Sequence, residues 1–189
     1  MKRRAFVILT LLFCASFASL HAQTELKINP LGLIFSSPNL SAEFAAKDNV
    51  GIEAIVGASW YTLTVIEKYK SFGANAGVLG KYYFNPETTI DKFYAGIYLR
   101  GGSNKFTSEV TSANSFSRSF FAGGFAIGQK WVSRNNIVFE LGTGIGRNIV
   151  SKVTSGTGTV NLAAVPLLNI DFFLRLDVGY RFGGVGKKK

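Results

Sequence analysis

The sequence of 189 residues holds one cysteine, one histidine and one methionine, and all three stand in its first 21 positions as Met1, Cys14 and His21. That stretch has the layout of a secretory signal. A basic head (Lys2, Arg3, Arg4) precedes an apolar run over residues 5–17, and Ser19-Leu20-His21-Ala22 forms a small-residue exit, so cleavage is expected after Ala22. A chain starting at Gln23 contains no thiol and no imidazole. That excludes disulfides, thiol nucleophiles and histidine-based metal or acid–base sites, and leaves only carboxylate, tyrosine or lysine chemistry open. No catalytic residue, cofactor or metal site is therefore assigned.

Proline is also scarce, at four residues, and no apolar run of about 18 residues follows the signal, so a helical membrane protein is excluded. Acidic residues are few. Removing Lys2, Arg3 and Arg4 from the 21 basic residues leaves 18 against 11 acids, a net charge of +7. In an exported chain, anionic lipid head groups are the nearest partner for such a surface, ahead of nucleic acid.

What the chain has in quantity is glycine (21), phenylalanine (17) and two-residue alternation. The plainest case is 170–182. Ile170, Phe172, Leu174, Leu176, Val178, Tyr180 and Phe182 share one face, with Asp171, Phe173, Arg175, Asp177, Gly179 and Arg181 on the other. A period of two is the mark of a β-strand, and at about 3.3 Å per residue this one reaches ~40 Å, enough to cross a ~30 Å hydrocarbon layer at a tilt. Seven further strands are expected over 26–35, 39–45, 50–63, 71–84, 93–102, 119–132 and 137–145.

The charges inside the strands are Glu43, Glu53, Lys81, Arg100, Lys130, Glu140, Arg175, Asp177 and Arg181, and every one lies opposite the large apolar residues. Glycine, alanine and tyrosine recur among them, as they would inside a narrow cylinder, while Phe, Trp, Val, Ile and Leu fill the other face, as on a lipid-facing wall. The pattern predicts an all-β fold, an eight-stranded antiparallel up-and-down transmembrane β-barrel over 23–182, with a basic periplasmic tail at 183–189. Glu43, Glu53, Lys81, Lys130, Glu140, Asp177 and Arg181, with Lys27 a candidate for the same set, fall in the half nearer the termini and nearly balance in sign, so they are expected to pair as a structural plug. Connections at the end bearing the termini are short. Those at the other end, 64–71, 103–117 and 148–169, are longer, the asymmetry of periplasmic turns and extracellular loops.

Gly142-Thr143-Gly144-Ile145-Gly146 follows an apolar strand, but Arg147 takes the place of the last glycine of a dinucleotide loop and no helical period follows. Glycines on a crowded inner wall explain the run.

Three stretches carry a family resemblance: Lys27-Ile28-Asn29-Pro30-Leu31, Pro38-Asn39-Leu40-Ser41-Ala42-Glu43-Phe44 and Leu176-Asp177-Val178-Gly179-Tyr180-Arg181-Phe182. They resemble the small eight-stranded outer-membrane β-barrel proteins of Gram-negative bacteria. The last looks like the terminal signal read by the outer-membrane assembly machinery, although Gly183 to Lys189 extends past the usual final aromatic. The resemblance implies a monomer in the outer membrane, in contact with lipid and lipopolysaccharide, without a nucleic-acid partner. It also implies a non-enzymatic role in envelope integrity or surface interaction. Two alternatives are a lipid- or lipopolysaccharide-modifying outer-membrane enzyme, and a soluble barrel carrying an apolar ligand, which would need the phenylalanine and tryptophan face turned inward.

Overall fold

Alternation of apolar and polar side chains becomes a wall with two faces in the computed structural model, which describes residues 23–64, 68–109, 115–156, 158–161 and 169–183. The elements are β1 (Thr24–Ile28), α1 (Pro30–Ile34), β2 (Asn39–Lys47), β3 (Val50–Thr64), β4 (Lys68–Tyr83), β5 (Lys92–Ser108), β6 (Phe116–Val132), β7 (Ile137–Ser155), β8 (Gly158–Asn161) and β9 (Ile170–Phe182). Each of β1 to β7 pairs antiparallel with the next, β7 pairs with β9, and β9 pairs back onto β1, which closes a ring of eight strands. The short β8 is an extra ribbon, paired only with the far end of β7. Closure pairs the strands round the ring except above Ile28 and Asn39, where α1 and residues 35–38 stand between β3 and β9.

The two faces sort as expected. Phe125, Ile97, Phe172, Trp131 and Phe139 point outward and are exposed, Phe125 at 71%. Glu43, Glu53, Glu140 and Arg181 point inward and are fully buried. The arrangement required of a soluble carrier, with the aromatic face inside, is not the one adopted. Aromatics also ring the end that carries the short turns: Tyr82, Phe84 and Phe93 make successive ring contacts at 5.1 and 5.7 Å, and Tyr180 packs on Phe182 at 5.0 Å.

Three expectations need correction. The first strand does not run over 26–35 but stops at Ile28. Asn29 accepts a hydrogen bond from the Gly32 N–H at 3.0 Å, Pro30 occupies the first turn, and a five-residue helix follows. Proline at that position cannot feed a ladder but suits the start of a helix. Gly32 is needed there because a Cβ would strike the Ser37 carbonyl.

The second and third corrections concern the long loops. Strands β5, β6 and β7 continue well past 102, 119 and 145, so polar segments expected as loops are paired hairpin arms. Ser, Thr and Asn side chains do not oppose pairing when the partner strand also continues. The 64–71 connection shrinks likewise, since β3 reaches Thr64 and β4 begins at Lys68. One bulge adjusts the faces: Phe121 opposes Val150 and Ala122 opposes Asn148, so Ile149 is an extra residue and it points outward with Val150. The expected signal (1–22) and the lysines of the expected tail lie outside the described residues.

Candidate functional site

The lumen divides into a filled half beside the termini and an open half beyond it. In the filled half, inward positions of seven strands deliver five carboxylates (Glu25, Glu43, Glu53, Glu140, Asp177) and five cations (Lys27, Lys81, Lys130, Arg175, Arg181), all buried. Glu43 is the hub. Its Oε2 accepts from the ammonium groups of Lys27 at 2.6 Å, Lys81 at 2.9 Å and Lys130 at 2.8 Å, and its Oε1 from the Tyr83 hydroxyl at 2.5 Å. Glu140 accepts from Lys27 at 2.6 Å, Lys81 at 2.5 Å and the Tyr94 hydroxyl at 2.8 Å. Arg175 forks onto both oxygens of Glu53, at 2.6 and 3.0 Å, and its Nε donates to Asp177. A planar guanidinium suits such a bidentate contact, which a point-charge lysine cannot make.

Glu43, Glu53 and Glu140 bring carboxylate oxygens within 4.8 Å of one another, close enough to hold a metal ion. Lysine ammonium groups stand among them instead: Lys27 and Lys81 each contact all three carboxylates. The charge a cation would supply is thus already present as side chains.

Space for these groups comes from glycine. A Cβ at either Gly128 or Gly142 would stand 2.5 Å from the Tyr94 hydroxyl oxygen, so the two glycines on neighbouring strands make the slot in which that ring reaches Glu140. The Gly142-to-Gly146 run is an inner wall shaped to tyrosine and phenylalanine rings rather than a phosphate loop.

The terminal end is closed by chain as well. Arg181 binds Glu25 Oε1 through Nε and Nη2, at 2.8 and 2.6 Å, and also donates to the carbonyls of Thr88 and Ile90 at 3.0 Å each. The connection 84–91 is thereby drawn under the barrel, with Ile90 buried against the tyrosine layer. Asp91 accepts from the backbone N–H groups of Glu87 and Thr88 and fixes the turn.

Eight of the nine charges expected in the network meet in this cluster. Arg100 does not: it lies in the open half, where it forks onto Asp171 at 2.8 and 2.6 Å, with the Tyr98 hydroxyl on the same carboxylate at 2.7 Å. Sequence reasoning missed Glu25, although Glu25 and Lys27 alternate with Leu26 and Ile28, and it missed that Tyr83 and Tyr94 complete the hydrogen bonding. It also took the 84–91 turn as a plain connection.

Beyond the plug lies a cavity of about 570 Å³ lined by Arg100, Asp171, Arg118, Asn104, Phe120 and residues of α1. Aromatic rings rise above it: Phe106 stacks on Phe116 at 4.5 Å and meets Tyr61 edge-on at 6.1 Å.

The fold and the lumen define a class: a closed eight-stranded antiparallel barrel, apolar outside and ionic inside. Within it, residues 6–155 match the family described as "Protein of unknown function (DUF3575)", and the chain belongs to that family. No curated protein matches the chain. Among solved structures it is similar to Ail, the attachment invasion locus protein of Yersinia pestis, at 16% identity over 85% of this chain and 97% of that one, with a TM-score of 0.43.

Proposed function

We infer that the protein is an outer-membrane β-barrel, exported by the signal at 1–22, that anchors hairpins at the cell surface for envelope integrity or surface interaction and catalyses no reaction. The observation that carries this reading is the sorting of the wall: large apolar side chains are exposed all round the outside, while charges are buried inside. Water would favour the reverse. Exposed apolar area on this scale is stable only against another apolar phase, and a closed barrel is the β-structure that satisfies its backbone there.

The filled lumen argues against a general pore. Buried ion pairs, two tyrosines and the 84–91 turn fill the lumen at the terminal end. The inward charges act as a structural plug. The protein works as a monomer among lipid and lipopolysaccharide, having been inserted by the outer-membrane assembly machinery through its closing strand.

Cell fractionation tests this reading. The protein should partition with the outer membrane, show heat-modifiable mobility on a gel, and lose only its long hairpin arms to protease added to intact cells. Recovery in the soluble periplasm, or cleavage at the short turns from outside, would refute it.

A further inference from the structure

The ring of strands is uneven in height, and one seam in it is not sewn by backbone. Strand β1 leaves β9 at the pair Ile28 and Val178, and β2 leaves β3 at Asn39 and Gly57. Above that level the wall between β3 and β9 is made by α1 and residues 35–38. On the β3 side this segment is tied by two backbone bonds, from Ala58 N–H to the Pro38 carbonyl at 3.1 Å and from Trp60 N–H to the Ser36 carbonyl at 2.9 Å. On the β9 side α1 packs closely against the strand, but among the described residues no backbone hydrogen bond joins α1 to 170–177.

The open half of the lumen reaches this seam. Its cavity is lined by both faces of β9: Asp171 and Phe173 from inside, Phe172 and Leu174 from outside. Arg100 spans the same place, donating to the edge carbonyl of Phe172 at 3.3 Å while paired with Asp171. Outside, on the β1–β3 side of α1, an apolar groove of about 370 Å³ runs along Ile28, Leu33, Leu40 and Val56, and it meets the inner cavity at Asn29 and Asn39, which border both. The inner cavity falls in the ~300–1,000 Å³ range of small-ligand sites.

Charge selects the occupant. Arg100 is neutralised by Asp171, but Arg118, which also lines the cavity, has no carboxylate partner among the described residues, and its Nε is buried without a hydrogen bond. We propose that the wall at α1, where strand pairing between β3 and β9 is interrupted, is a lateral entrance for a single-chain amphiphile with an anionic head group. The head sits in the cavity at Arg118, and the acyl chain lies along the apolar groove. This rests on the membrane reading above. A neutral lipid would leave the guanidinium unpaired, and a small hydrophilic anion would leave the groove empty.

Photolabelling tests it. The full protein is placed in phosphatidylcholine nanodiscs with a fatty acid carrying a tail diazirine, and the labelled peptides are mapped by mass spectrometry. The expected result is labelling of peptides holding Leu33, Leu40 or Phe172 about tenfold or more above peptides holding Ile127 or Phe139. The preference should fall by about tenfold in Arg118→Gln, persist in Arg118→Lys, and be absent with the methyl ester of the same probe. Heat-modifiable mobility confirms that each variant is folded. Even labelling round the belt, or a preference shared by the ester, overturns the entrance and leaves the membrane reading standing. Displacement by millimolar inorganic phosphate overturns the amphiphile in favour of a plain anion. A chain that takes no label anywhere on its belt overturns both.

Discussion

Glu43→Gln is the most informative single change in the plug, because one carboxylate there serves three ammonium groups and a phenol. The amide nearly preserves shape, so the change isolates charge. It leaves five buried cations on four carboxylates, and the new NH2 group donates where only acceptors are wanted. Breaking a buried ion pair by removing one partner costs about 3–5 kcal/mol, which is roughly two to three and a half decades in the folding equilibrium. Reversible urea unfolding in phosphatidylcholine vesicles measures it. The two tryptophans, Trp60 and Trp131, both lie on the outer face and report lipid contact by their emission.

The companion variant separates charge from packing. Lys130 contacts Glu25 and Glu43, and Glu25 keeps Arg181 when Lys130 is lost. Glu43→Gln combined with Lys130→Met restores the balance at four against four and should recover about half of the loss. A Glu43→Gln cost below about 1 kcal/mol, or a double variant whose loss is the simple sum of the two singles, refutes the account of the plug as a coupled ionic unit.

Three other outcomes are expected. Gly128→Val fills the slot holding the Tyr94 ring and should cost about 1–3 kcal/mol in the same unfolding assay, with part regained by Tyr94→Ala. Phe125→Arg, near the middle of β6 on the outer face, should cost about 2–4 kcal/mol in vesicles, and proportionally less in detergent micelles, whose thinner apolar layer lets the guanidinium reach water. Arg181→Ala cuts the contacts from β9 to the Thr88 and Ile90 carbonyls, so amide hydrogen exchange across 86–91 should accelerate while the strand ladders stay protected.

The alternation in 170–182 and the one-sided placement of charges made the barrel readable, because a strand in a two-faced wall has to repeat with a period of two. The same signal located eight of the ten plug charges and offered Lys27 as a ninth. Glu25 escaped because β1 is only five residues long, too short for its alternation to stand out, and Pro30 broke the phase just beyond it. Arg100 was counted with the lumen charges because its face is readable from sequence; it stands outside the half nearer the termini, where the cluster forms, and pairs with Asp171 instead. The extended hairpin arms were invisible for another reason. Serine and threonine there carry no alternation to read, and pairing comes from the partner strand's presence. Nothing local in 84–91 announces that it folds under the barrel, since its anchor is Arg181, more than 90 residues away.

The ionic interior bears on register as well as stability. Glu43 lies opposite Glu53 across β2 and β3, and Glu140 opposite Asp177 across β7 and β9, so like charges are neighbours along the ladders. Adjacent-strand pairing alone would disfavour these partners. They are tolerated because counter-charges reach them from other strands, some adjacent and some across the lumen, through Lys27, Lys81, Lys130 and Arg175. The network is therefore complete only when the seven strands that supply its charges are in place round a closed ring. A one-residue slip of β9 would turn Asp171, Arg175, Asp177 and Arg181 toward the apolar belt and bring Phe172 and Leu176 inside, leaving Glu53 and Glu25 without their guanidinium partners. An apolar lumen would give no such contrast between the two faces, and a slipped strand would meet nearly the same surroundings. Charge buried inside and apolar surface outside thus select a single closed register, at the cost of dehydrating ten ionic groups that favour folding only as a complete set.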